Sequence, residues 1–135
     1  MYHLLVEDSM PFEMVNDRLL DEASLAPYKL LILPNVAALS DEQCEQLRKF
    51  VQRGGSLVAT FETSLYNEDG TPRSDFALAD IFGVSYDNGV EGPMQNSYLR
   101  IKANTSKKFH PVTKGLEDAY RIINTIHQVK VRPVQ

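Results

Sequence analysis

The sequence has 135 residues, a formal net charge of −4, and 43% hydrophobic and 24% charged residues. This length and composition predict one globular domain and argue against a disordered chain. The acidic balance argues against nucleic acid as a partner, because phosphate binding requires a basic surface. The single cysteine, Cys44, excludes an internal disulfide.

The sequence also argues against a membrane partner and a secretory leader. The longest apolar run, Leu30 to Leu33, is far shorter than the roughly 20 residues that span a bilayer. Met1 to Leu5 lacks the basic region and the small-residue cleavage site of a signal peptide. These features favour a cytoplasmic location.

The first elements in chain order are a helix and a strand. The apolar run from Tyr2 to Val6 predicts a short helix that ends at Asp8-Ser9. Phe12 to Val15 is predicted to be a strand, with Pro11 at a position where its missing N–H costs little. Asp17 to Ser24 is predicted to be a turn or a short helix.

A strand, a helix and a second strand follow and predict an α/β fold. Lys29 to Leu33 is almost continuously aliphatic, which is typical of a parallel strand covered on both faces. The helix spans Ser40 to Arg53 and begins with a capping box between Ser40 and Gln43. Gly54-Gly55 supplies its left-handed end, and Leu57 to Phe61 is the next buried strand.

The rest of the chain alternates between loops and short elements. We expect a polar loop from Glu62 to Ser74 and a helix from Asp75 to Phe82. An irregular segment from Val84 to Tyr98 and a strand from Tyr98 to Lys102 follow. The chain then continues with a turn from His110 to Leu116 and ends with closing strands or a hairpin from Tyr120 to Ile126 and Gln128 to Val131. No internal repeat or linker divides the sequence.

The order of these elements indicates a missing strand. A doubly wound domain normally begins with its central strand, whereas this chain begins with a helix, so Phe12 to Val15 counts as the second strand. We therefore expect residues 1–135 to be one domain that lacks its first strand and belongs to a longer multidomain chain. The alternative is an independent small domain whose sheet starts at an edge. An open slot predicts strand pairing between chains or an internal rearrangement.

Two blocks of sequence carry a resemblance to a known family. Tyr28–Pro34, Leu39–Glu42, Leu47–Val51 and Gly54–Val58 resemble the beta-galactosidase trimerisation domain, a class I glutamine amidotransferase-like domain with a flavodoxin-like fold. Thr63–Tyr66, Asp69-Gly70 and Phe76–Gly83 resemble the form attached to glycoside hydrolases, and His110-Pro111 with Lys114–Leu116 is similar to a turn of that superfamily. The resemblance covers residues 10 to 132.

The resemblance implies a non-catalytic structural and oligomerisation domain. It implies a three-layer domain with a mainly parallel sheet, beside a TIM-barrel catalytic domain on the same polypeptide, within a homo-oligomer that acts in carbohydrate metabolism. The catalytic carboxylates would belong to the barrel. The nucleophile position of the amidotransferases falls near Glu62 or Thr63 and carries no thiol, so glutaminase or peptidase activity is not carried over.

The best candidate for a binding site is the carboxyl-terminal rim of the two strands. Glu62, Thr63, Ser64 and Tyr66 follow the second strand, and Asn35 follows the first. Ligands of open α/β sheets bind at such ends. One hypothesis is therefore a module that binds a small polar ligand such as a sugar. The alternative is a rim that caps a helix or meets another subunit.

Catalysis, metal and cofactor binding have weak support in the sequence. A hydrolase acting through Ser64 or Cys44 would need a histidine within hydrogen-bond reach, and the sequence has no G-x-S-x-G elbow. His3, His110 and His127 are scattered without the spacing of a metal site. We expect no catalytic residues, no metal and no cofactor, and a buried structural role for Cys44.

Overall fold

The computed structural model describes residues 1–101, 110–116, 118–119 and 121–134. The chain divides into two compact units. The first consists of Met1–Asn88 together with Val129–Gln135, and the second of Gly89–Gln128. The helices are α1 Tyr2–Glu7, α2 Glu22–Leu25, α3 Asp41–Gln52 and α4 Ala79–Phe82, and the strands are β1 Leu30–Pro34, β2 Ser56–Thr60, β3 Val84–Glu91, β4 Tyr98–Leu99, β5 Ile122–Ile123 and β6 Gln128–Pro133.

Helix α3 is the best specified element of the first unit. The Ser40 hydroxyl accepts a hydrogen bond from the Gln43 N–H at 3.1 Å, and the Gln43 side chain accepts from the Ser40 N–H at 2.9 Å. This confirms the predicted capping box. Gly54, at φ +96°, turns the chain after the helix, and Gly55 leaves room for the Phe50 ring. A Cβ at Gly55 would lie 2.3 Å from that ring.

Strand β1 precedes α3 in the chain and β2 follows it, and the two strands pair in parallel, as the sequence predicts. Their register runs from Leu30 opposite Ser56 to Pro34 opposite Thr60. One face of this two-stranded sheet belongs to a cluster of buried side chains. The cluster consists of Leu25, Leu31, Leu33, Leu39, Cys44, Leu47, Phe50 and Leu78. Burial of each large side chain contributes about 1.5–3 kcal/mol, so this cluster holds the unit together.

The opposite face of the same sheet corrects the prediction of a strand covered on both sides. Leu30 is 48% exposed and Val58 is 43% exposed, and both belong to this face. Strand β1 is therefore apolar on both faces, but the described residues bury only one of them. A continuous aliphatic run indicates that a strand tends to be buried, but it does not show which residues would cover its second face.

Three further expectations differ from the structure. Phe12 to Val15 forms no strand, since no described residue pairs with its backbone in a ladder. Val84–Glu91 is the eight-residue strand β3, paired with β6, although its glycine and asparagine content predicts an irregular segment. The helix predicted from Asp75 contains only Ala79–Phe82, because the residues before it form turns.

Asp75 explains why the helix starts late. Its carboxylate accepts hydrogen bonds from the backbone N–H groups of Phe76 at 2.7 Å and Tyr86 at 2.6 Å. Partial burial raises the pKa of Asp75, but these hydrogen bonds, with one from Ser85, outweigh it and hold the pKa below the usual range. Asp75 therefore ties the turn before α4 to β3.

The second unit contains a small antiparallel sheet. Tyr98 pairs with Ile123 and Leu99 with Ile122. The predicted strand at Tyr98 is thus shorter than expected, and its end at Lys102 lies outside the described residues. Of the predicted closing strands, the first is limited to β5, Ile122–Ile123, and its predicted start at Tyr120 lies outside the described residues, whereas the second is confirmed as β6. Strand β5 pairs with β4 and β6 with β3, so the two do not form a hairpin. The turn predicted at His110 contains a 3-10 helix, Pro111–Thr113.

The architecture confirms a mixed α/β chain. Its described strands form one parallel and two further two-stranded sheets. No helix among the described residues is long and apolar enough to cross a membrane.

Candidate functional site

The ends of β1 and β2 lie side by side, because Pro34 is opposite Thr60 in the parallel register. Asn35 follows β1 in the left-handed conformation, at φ +53°. Its side-chain oxygen accepts a hydrogen bond from the Glu62 N–H at 3.3 Å, and its own N–H donates to the Thr60 hydroxyl at 3.0 Å. Asn35 thus links the two loops that form the predicted rim.

Thr63 and Ser64 point into the protein. Thr63 is 1% exposed, and its hydroxyl lies 2.8 Å from the Thr60 carbonyl oxygen and 3.1 Å from that of Leu33. Ser64 is fully buried, and its hydroxyl accepts from the Leu78 N–H at 3.3 Å. Both hydroxyls therefore hold the loop against the ends of the strands and α4, away from solvent.

Tyr66 extends this attachment through its backbone. Its N–H donates to the Ala37 carbonyl at 3.0 Å, and its carbonyl accepts from the Leu39 N–H at 3.1 Å. The Tyr66 side chain is half-buried, as is that of Glu62. The Glu62 carboxylate has no hydrogen-bond or ionic partner among the residues that the structure describes. The side chains of Asn35, Glu62 and Tyr66 are therefore the predicted rim residues that reach solvent.

Sequence reasoning missed Arg73 in this region. Its guanidinium donates to the Leu39 carbonyl at 3.1 Å and pairs with Asp41 at 2.7 Å, while its Nε atom is buried without a hydrogen-bond partner in the described part of the chain. Arg73 thereby fixes the loop to the first turn of α3. In the sequence, Arg73 is the single Lys or Arg within the polar loop from Glu62 to Ser74, and this could have identified it as a candidate ion-pair partner.

Neither Ser64 nor Cys44 is placed to act as a nucleophile. Ser64 is buried and its hydroxyl is engaged with Leu78. Cys44 is 1% exposed, and burial raises the pKa of its thiol, which lowers the thiolate fraction that a nucleophile requires. The buried structural role expected for Cys44 is confirmed. Within the described ranges, no group of three or more histidine, cysteine, aspartate or glutamate side chains could hold a metal ion.

A second surface feature lies beside β2, within the first unit. It is an open groove of about 680 Å³, and its wall includes Val51, Leu57, Ile81, Phe82, Val129 and Val131. None of its lining residues carries an ionisable side chain. Such a surface suits an apolar protein partner, whereas a sugar requires polar groups that converge on its hydroxyls.

The sequence matches the model of a family described as the beta-galactosidase trimerisation domain over residues 2–114. It is 31% identical over 123 residues to beta-galactosidase GanA of Bacillus subtilis. This alignment covers 91% of the present chain and 17% of GanA. Gan42B, a GH42 beta-galactosidase of G. stearothermophilus, has a similar fold, with a TM-score of 0.59 and 23% identity over 72% of this chain and 14% of that chain. A catalytic mutant of the same enzyme matches with 27% identity and a TM-score of 0.47 over 53% of this chain and 11% of that one.

These matches confirm the resemblance to the beta-galactosidase trimerisation domain that the two sequence blocks carry. The chain spans about a sixth of the length of the curated relative that it matches. The match to the family model covers most of the 135 residues. The chain therefore belongs to the beta-galactosidase trimerisation domain family.

Proposed function

We propose that this domain assembles a glycoside hydrolase into a homotrimer and performs no chemistry itself. The observation that carries the proposal is how the polar and apolar groups are distributed. The buried hydroxyls of Thr63 and Ser64 are engaged in internal hydrogen bonds, whereas the groove beside β2 is open and uncharged. An open groove without charged groups suits an apolar protein partner, whereas hydroxyls that are buried and internally bonded are not available to a sugar.

We also propose that the parent polypeptide carries a TIM-barrel catalytic domain, and that this chain is one part of it. The small share of GanA that the chain spans supports this. The finer fold, a flavodoxin-like domain with three layers and no first strand, belongs to the same proposal. It is supported by the parallel pair of β1 and β2 and by the segment from Phe12 to Val15, which forms neither a helix nor a strand.

Light scattering on the purified chain tests assembly. We expect a mass three times that of the 15.3 kDa chain at micromolar concentration. A mass of one chain at every concentration would contradict the proposal. In the same preparation, we expect no hydrolysis of aryl galactosides. Hydrolysis that disappears in Glu62→Gln would show that the domain is catalytic.

A second candidate function is sugar binding at the rim. It is favoured by the solvent-facing Asn35 and by the Glu62 carboxylate, which has no partner among the described residues. A carboxylate and an amide can hydrogen-bond to the hydroxyls of a sugar. Titration with galactose, followed by backbone NMR shifts, would support this candidate if the shifts centre on Asn35 and Glu62 and vanish in Glu62→Gln. Flat titration curves to millimolar sugar would exclude it.

A further inference from the structure

Phe61 adopts a backbone conformation that phenylalanine rarely takes. It directly follows β2 and has a φ of +54°. It is the first central residue of a turn that closes when the Thr63 N–H donates to the Thr60 carbonyl at 3.3 Å. Turns with a positive φ at this position normally carry glycine, asparagine or aspartate there, and a bulky residue in the left-handed region is strained. Phenylalanine is therefore not the residue that favours this turn.

Hydrogen bonds on both sides hold the strained turn in place. The Glu62 N–H donates to the Asn35 side chain at 3.3 Å, and the Thr63 hydroxyl donates to the Thr60 carbonyl at 2.8 Å. These contacts attach the turn to the ends of β1 and β2. Strained residues persist only where the surrounding structure determines their conformation, and they cluster at binding and catalytic sites. The side chain of Phe61 is thus a candidate for a role outside the fold itself.

The Phe61 side chain contributes to the groove beside β2 and not to the buried core. It is half-buried, and it belongs neither to the core cluster nor to the partly buried side chains that pack against that cluster. Its ring contacts no other aromatic ring in the part of the chain that the structure describes. It does line the groove. Packing in the described core therefore does not compensate for the strain at Phe61.

We propose that Phe61 is the aromatic anchor through which the groove binds a second copy of this chain. The inference rests on the proposed assembly into a homotrimer and specifies the residue on which that assembly depends. A few aromatic side chains that become fully desolvated carry most of the binding energy of a protein contact. In the assembled state the ring gains the burial that its own chain does not provide, and this gain compensates for the strained backbone.

A second copy is the occupant that the chemistry of the groove and the family favour. None of the residues lining the groove is ionisable, so the segment that enters it is apolar. The second unit of the chain exposes apolar side chains of this kind, since Ile123 is 83% and Ile126 is 64% exposed. The family is described as a trimerisation domain, and a three-fold ring joins two different surfaces of each chain. The groove and an apolar surface such as this one meet that requirement.

The first test replaces Phe61 by glycine, which fits the turn but removes the ring. We expect the concentration at half-assembly, measured by light scattering, to rise about tenfold or more. At a concentration where the wild type is dissociated, Phe61→Gly should unfold at the wild-type Tm or above it, because relief of the strain offsets the loss of a half-buried ring. Ser9→Gly is the matched control. Ser9 is also left-handed, at φ +53°, but it is exposed and lies outside the groove, so assembly should not change.

A tryptophan probe tests the contact without removing the aromatic ring. The sequence contains no tryptophan, so Phe61→Trp introduces a single fluorescent reporter. We expect its emission to move to shorter wavelength as the chain assembles, because the second copy excludes water from the ring. Tyr66→Trp is the control, since Tyr66 is half-buried at the rim and outside the groove lining, and its emission should not move. Emission from Phe61→Trp that stays constant through assembly would overturn the anchor.

The outcomes separate the anchor from the trimer. A wild-type trimer that Phe61→Gly dissociates at unchanged or higher Tm supports both. A wild-type dimer that the same change dissociates supports the anchor and contradicts the trimer. A trimer that Phe61→Gly leaves unchanged overturns the anchor alone. A dissociated Phe61→Gly chain that unfolds well below the wild-type Tm also overturns the anchor, because the ring then packs within its own chain. A wild-type monomer at every concentration overturns both proposals.

Discussion

Replacing Thr63 by valine tests whether the rim is a structural attachment or a binding surface. Valine has nearly the same shape as threonine but no hydroxyl, so the change removes the hydrogen bond that Thr63 shares between the Thr60 and Leu33 carbonyls. Thr63 is 1% exposed, so water cannot replace that bond. A neutral hydrogen bond contributes a net ~1 kcal/mol to stability. A chain of this length has an unfolding entropy of about 0.3 kcal/mol/K, so Tm should fall by about 3–4 °C.

The measurement is thermal and urea unfolding followed by circular dichroism. Thr60→Val is the control, because the Thr60 hydroxyl accepts from the Asn35 N–H at an exposed position where water can substitute. We expect it to shift Tm by a smaller amount. If Thr63→Val leaves Tm unchanged but abolishes binding of a sugar, the hydroxyl is a ligand contact and the argument for a structural rim is refuted.

Two further predictions concern α3. Ser40→Ala removes the capping bond to the Gln43 N–H and should destabilise the chain by ~1 kcal/mol in urea unfolding; an unchanged midpoint would show that the capping box is not stabilising. Hydrogen bonds from Arg48 hold the pKa of Asp80 below its ordinary value of 3.8. The ion pair therefore stabilises the folded chain fully above pH 4, and this stabilisation is lost as the pH falls through the lower pKa of the folded state. For an exposed pair it amounts to ~0.5 kcal/mol of unfolding free energy. Asp80→Asn should flatten the acid limb of the stability curve, whereas Asp69→Asn, in an exposed turn, should not.

Local signals account for the part of the fold that was predictable. The capping box at Ser40, the spacing of Leu47 and Phe50, and Gly54 after the helix all act within a few residues of one another. Each is sufficient to define a boundary without knowledge of distant partners. The parallel pairing of β1 with β2 then follows, because a short right-handed connection leaves few alternatives.

The errors arose where pairing partners decide the outcome. Phe12 to Val15 has the composition of a strand, but a strand requires a neighbour, and none of the described residues provides one. Val84–Glu91 has the composition of a loop and becomes a strand because β6 pairs with it. At the rim, the sequence located Thr63 and Ser64 correctly at the end of β2, but the direction of their hydroxyls depends on Leu33 and Leu78, which are distant in sequence.

The left-handed conformation of Asn35 restricts how sequences that share this turn can diverge. An ordinary residue in this conformation costs roughly 1–2 kcal/mol, which asparagine and aspartate reduce with their short polar side chains. Glycine would retain the backbone but would lose the oxygen that accepts from the Glu62 N–H. Aspartate retains both, whereas valine or isoleucine retains neither. We therefore expect asparagine or aspartate at this position in homologues that retain the hydrogen bond between the two strand-end loops, and glycine in homologues that lack it.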